Sequence, residues 1–225
     1  MAKKKEYILL CEKLYLLKKS KYAIAKSPIH VSDSMSGKMD GIPSISTSCL
    51  CNKICIARQK NKKSICSKCF AVGTIRQYSS LGKALRSNFE LLNSSVLDLG
   101  LLPRFKSTVE IVRIESFGDV ASVTQAINYA NICKVNPHVT FAWWSKNMGI
   151  CKKAFDKVGK PENVIMVESS PMMDVEVMPS NEYVDKTFTV FSHENPQINC
   201  GKRSCITCRR CYRKDTEKEI YELLK

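Results

Sequence analysis

The residues best equipped for chemistry in this chain are its cysteines, and they are clustered. Cys49, Cys51, Cys55, Cys66 and Cys69 fall in one short stretch, the last four spaced C-x3-C-x10-C-x2-C. Cys200, Cys205, Cys208 and Cys211 form a second group, spaced C-x4-C-x2-C-x2-C. Nine of the twelve cysteines thus sit in two groups, and thiolates so close together repel unless a cation lies between them. Metal ligation accounts for the spacing. Cys51 with Cys55, and Cys66 with Cys69, could be the two knuckles of a zinc site. Cys205, Cys208 and Cys211 instead repeat as thiolates do around one face of an iron–sulfur cube, with Cys200 as the distant fourth ligand. Two [4Fe-4S] clusters are the favoured expectation, and zinc is the alternative. In the first group, Cys55, Cys66 and Cys69 alone would leave one iron open for substrate. Cys51 is then either a fourth ligand or a substitute for Cys55, and Cys49 reads as a spare. Cys11, Cys133 and Cys151 read as buried free thiols on helices.

These groups need a scaffold, and 225 residues suffice for one proper core. The expected organisation is a single α/β domain over residues 1–225. It comprises an N-terminal amphipathic helix (about 6–26), a first cysteine segment (49–69), an α/β core (77–193) and a C-terminal cysteine segment (200–214). Residues 28–48 are rich in Ser, Gly and Pro and read as an irregular lead-in with a short strand or hairpin. Ser79 or Ser80 is expected to cap a helix carrying Leu81, Leu85, Phe89 and Leu92. Four β-branched apolar runs follow, at 109–116, 139–146, 163–170 and 187–193, with helices over 120–135 and 147–158 between the first three. Strands this apolar, alternating with helices, predict a parallel sheet of partial (β/α)-barrel type.

In such a sheet, ligands gather at the C-terminal strand ends, and each run ends in polar groups. Glu115 and Glu168 are carboxylates closing apolar strands, so they need partners or ligands and are candidate catalytic residues. Ser145 and Lys146, ending another strand, are candidate cofactor contacts. Asp119 reads first as the N-cap of the helix over 120–135 and second as a catalytic acid. His193 reads as a satisfied structural histidine. Trp143 and Trp144 must face opposite ways, one into core and the other towards a pocket.

The formal net charge is +15, and two thiolate-ligated clusters would lower it to about +11. That balance favours an anionic partner, either nucleic acid or a phosphorylated substrate. Lys202, Arg203, Arg209, Arg210, Arg213 and Lys214 crowd the second cysteine group, as counter-charges or as phosphate contacts. No apolar run approaches the roughly 18 residues of a membrane span, and no signal peptide is read, so no membrane partner and a cytoplasmic location are expected.

The lead-in SGKMDGIPSISTSC, the C-x2-C-F-A ending of the first group, Asn88, RIESFGD, FAWWSK and the final C-x2-C-x2-C-Y resemble the phage-encoded gene product 88 family. The resemblance runs over about residues 36–212 and implies a phage or prophage setting. The C-x2-C-F-A ending is also similar to radical SAM proteins of the photoproduct-lyase type. That similarity implies a three-cysteine cube at the mouth of a partial barrel, an auxiliary cluster, S-adenosylmethionine and an electron donor. Glu115, Gly118 and Asp119 would then stand where that superfamily has its Gly-Gly-Glu strand end, with Gly118 as a cofactor contact. The ten residues between Cys55 and Cys66 depart from its spacing. Two functions are therefore expected in competition: an iron–sulfur enzyme, or a metal-stabilised nucleic-acid-binding module without catalysis.

Overall fold

A computed structural model describes residues 20–33, 35–201 and 203–224. The four apolar runs form β2 (Ile111–Ile114), β3 (Thr140–Ser145), β4 (Val164–Ser169) and β5 (Lys186–Phe191). Two shorter strands flank them, β1 (Ser44–Ile45) and β6 (Glu219–Leu223). All six pair in parallel, in the order in which they occur in the chain. Every crossover therefore advances one strand in the same direction, and the sheet stays open between β1 and β6. The expected parallel α/β sheet is present. The lead-in contributes β1, while β6, beyond the second cysteine group, is an addition to the expected set.

Helices α1 (Lys53–Gln59), α2 (Phe70–Gln77) and α3 (Ser79–Ser94) lie between β1 and β2. Helix α4 (Val123–Lys134) joins β2 to β3, and α5 (Met148–Val158) joins β3 to β4. Two expected caps move. Helix α3 begins at Ser79 itself, so neither Ser79 nor Ser80 caps it. Helix α4 is capped by Ser122, whose hydroxyl accepts the Gln125 N–H, which frees Asp119 for another role. Most of the expected N-terminal helix lies outside the described residues. Its last part is not helical: Ala23 bridges Phe105 instead. Among the described residues, no helix is long and apolar enough to cross a membrane.

The sheet's two faces have different neighbours. Val112, Ile114, Phe141, Trp143, Val164 and Met166 point to one face, where α4 and α5 cover them. Trp143 is wedged edge-on between Tyr129 and Phe155, at ring distances of 5.3 and 5.4 Å. Cys133 and Cys151 are buried in this core, as expected of free thiols. On the other face, Ile111, Ala142, Ile165, Val167, Phe188 and Ile220 meet the C-terminal cysteine segment. This segment is the crossover from β5 to β6, with a short helix α6 (Cys205–Cys208). Buried Lys186 fastens it, donating to Asp215 at 2.5 Å and to the Glu217 carbonyl. The second cysteine group thus lies against the sheet face and is not confined to the strand-end edge.

Candidate functional site

The first cysteine segment leaves the C-terminal end of β1 and is sewn to the ends of the next three strands. Asn52 caps α1 by accepting the Ile54 N–H at 2.9 Å, and its amide donates to the Asp119 carbonyl at 2.8 Å. From the last turn of α1, Arg58 donates to the Asp119 carboxylate at 3.4 Å and to the Lys146 carbonyl at 3.0 Å. Further on, Ser64 donates to the Pro171 carbonyl at 2.8 Å, behind β4. So held, Cys49, Cys55, Cys66 and Cys69 line one cavity of about 1330 Å3 over the sheet's second face. Cys51 is half-buried and does not line it. The thiol that reads as a spare in sequence is therefore at the cavity, and the one that reads as a ligand is beside it.

The thiols differ electrostatically. Cys69 stands at the N-terminus of α2, packed with Cys49, and that thiol together with the Ala71 and Val72 N–H groups favours its ionised form. Their effect outweighs its burial and draws it down to about 6. Cys49 is pushed well up by the neighbouring Cys69 and by burial. Burial, with Asp119 and Glu115 nearby, also pushes Cys55 well up.

All four C-terminal cysteines line a smaller cavity of about 260 Å3, and Cys200, Cys205 and Cys211 also line the large one. Burial pushes Cys211 up to about 12. Lys38 reaches the Cys200 sulfur at 3.6 Å while pairing with Glu222 at 2.7 Å. Much of the surrounding basic cluster is already engaged. Arg209 pairs with Glu110 at 2.6 Å, Arg210 with Glu217 at 2.7 Å, and Lys214 donates to the Glu162 carbonyl. Lys202 lies outside the described residues. Among those described, no three His, Cys, Asp or Glu side chains are gathered tightly enough to hold a metal ion. Side-chain rotation would be needed to close a ligand shell, whereas the donor type, a set of thiols, suits iron–sulfur or zinc.

Glu115 closes β2 in a left-handed conformation, φ 59°, which costs an L-residue of its size about 1–3 kcal/mol. The turn carries its buried carboxyl to four donors. Tyr129 and Thr47 hydroxyls donate to Oε1 at 2.6 and 2.7 Å, as does the Gln125 amide at 2.8 Å. The Thr47 N–H donates to Oε2 at 3.1 Å. Burial still outweighs these donors and raises the carboxyl to about 7. A raised folded-state value means stability that is complete below the ordinary 4.5 and is lost as pH rises through about 7. Between pH 5 and 8, urea unfolding should show wild type losing roughly 2–3 kcal/mol relative to Glu115→Gln. Equal losses in both proteins would remove Glu115 as the cause.

The other strand-end candidates divide. Asp119 is a clasp: Oδ1 accepts the Ser145 hydroxyl at 2.6 Å and the Val120 N–H at 2.8 Å, and Oδ2 accepts the Lys146 N–H at 3.0 Å. With Arg58 added, it joins the cysteine segment to β2 and β3, and Ser145 belongs to the same clasp. Lys146 and Gly118 line the cavity. Glu168 does not. It shares the helix-covered face with Val164 and Met166 and accepts the Ser180 N–H at 2.8 Å, anchoring a loop. His193 is exposed beside Asp174. Of the tryptophans, Trp143 is core and Trp144 lines the cavity. Arg113 was missed, although a charge inside an otherwise apolar strand run was its signal; it also faces the cavity.

The family model for Gene product 88 matches residues 15–215, and the chain belongs to that family. No curated protein matches the chain, and no solved structure does.

Proposed function

For this phage-type member of the Gene product 88 family, we propose an iron–sulfur enzyme whose reaction chamber is the large cavity. The observation that carries the reading is the convergence of four cysteines from the first segment and three from the second on that one space. Cys49, Cys55, Cys66 and Cys69 would hold the first cluster, and Cys200, Cys205, Cys208 and Cys211 the second. When bound, the clusters would supply one-electron chemistry, with a cytoplasmic electron donor as the partner. The chain's own residues do the remaining work. The Asp119 clasp and the Ser64 tie fix the first segment against the strand ends. Glu115, protonated or ionised near neutral pH, offers a proton-bearing group at the same edge. The C-terminal segment lines the same cavity through Cys200, Cys205, Cys211 and Tyr212.

A nucleic-acid-binding role without catalysis is the weaker reading, because carboxylates and carbonyls already occupy Arg209, Arg210 and Lys214. The deciding measurement is iron, sulfide and zinc content, with a visible spectrum, on protein purified without oxygen. Iron and sulfide in near-equal amounts are expected. Zinc alone would overturn the proposal.

A further inference from the structure

We propose that the large cavity binds an anionic small molecule whose charged group is held by Arg113 and Lys146. This deepens the enzyme reading and rests on it. The cavity's carboxylates are already committed. Glu115 has its four donors and Asp119 its own four. Glu222 takes Lys38, and Asp33 accepts the Ser20 hydroxyl and the Lys21 N–H. Four cations on the wall are not so committed: among the described residues, Lys68, Lys83, Arg113 and Lys146 have no carboxylate partner, and of these Lys68 and Lys83 are exposed while Arg113 and Lys146 are half-buried.

Their placement suits recognition. Arg113 rises from the middle of β2 and lies 3.7 Å from the centre of the Trp144 ring on β3. A guanidinium pinned on an indole has already given up much of its freedom, so binding costs it little more. Lys146 follows Trp144 by two residues and faces the same cavity, further up the wall. The space exceeds the roughly 300–1,000 Å3 of an ordinary small-molecule pocket, leaving room for a substrate beside a cluster.

The competing role for these cations is counter-charge, since Arg113 lies near Cys205 and Cys211, and Lys146 near Cys55 and Cys69. Calorimetric titration of the oxygen-free full chain separates the two. Inorganic phosphate and benzoate are the anionic probes and benzamide is the neutral control, with iron measured on the same samples. At least one anion should bind and benzamide should not, and which anion binds tells phosphate from carboxylate. Arg113→Gln and Lys146→Gln should each weaken that binding about tenfold or more at unchanged iron content. Arg113→Lys, which keeps the charge but loses the fork, should weaken it less. Failure of both anions to bind iron-replete protein would overturn the inference. So would variants that lose iron while their loaded fraction binds anions as wild type does. Anion binding with the same residue dependence in protein lacking iron would sustain this inference and sink the iron–sulfur reading.

Discussion

Cys49→Ser is expected to empty the first metal site, whereas Cys51→Ser leaves it filled. The two cysteines are two residues apart and in sequence look interchangeable. Cys49 is 2% exposed, lines the cavity and packs against Cys69, while Cys51 lies off the cavity wall. A serine oxygen is a poor ligand for iron that prefers soft thiolate, so losing a true ligand removes a cluster. With the second segment untouched, iron and sulfide per chain should fall by about half in Cys49→Ser and stay level in Cys51→Ser. Circular dichroism on the same samples separates loss of metal from loss of fold. The reverse pattern would restore the C-x3-C-x10-C-x2-C set that spacing alone suggests.

That contrast marks where sequence stops being informative. The strands β2 to β5 were legible because each is a run of apolar, β-branched residues buried on both faces, and such runs have few other uses. Helices α4 and α5 followed from periodicity. Strand β1 is only two residues long and β6 carries Glu219 and Glu222, so neither has the composition of a buried strand. At the site, the cysteine types and their grouping were visible, but which thiols converge depends on ties made across the fold. Asn52 to Asp119, Arg58 to Lys146 and Ser64 to Pro171 link residues 67, 88 and 107 positions apart. Glu168 misled for a related reason. It ends its strand as Glu115 does, yet pleat alternation sends it to the helix-covered face, while Glu115 is redirected by its left-handed turn.

Gly118→Ala should be strongly destabilising, although it adds a single methyl group. A Cβ at this position would lie 2.6 Å from the Thr47 carbonyl oxygen, 2.8 Å from its Oγ1 and 2.9 Å from Glu115 Oε2. None of these atoms is the free end of a flexible chain. The first is backbone, and the other two belong to the buried network that also engages Gln125 and Tyr129. Relief requires Thr47 to move. Overpacking of this kind costs about 1–3 kcal/mol, and each buried hydrogen bond broken adds about 1–3 kcal/mol, so a loss of about 3 kcal/mol or more is expected. Because Thr47 precedes Cys49 by two residues, the same shift should loosen the first metal site. Gly73→Ala is the matched control: it lies within α2, and a Cβ there meets nothing within 4 Å. It should gain about 0.5–1 kcal/mol from helix preference. Denaturant unfolding of both variants, with iron content, tests the pair. If Gly118→Ala unfolds with wild-type stability, the contact between Thr47 and Glu115 is not what holds the cysteine segment to the sheet. A loss of both stability and iron in that variant alone would tie the RIESFGD turn to the metal site through Thr47.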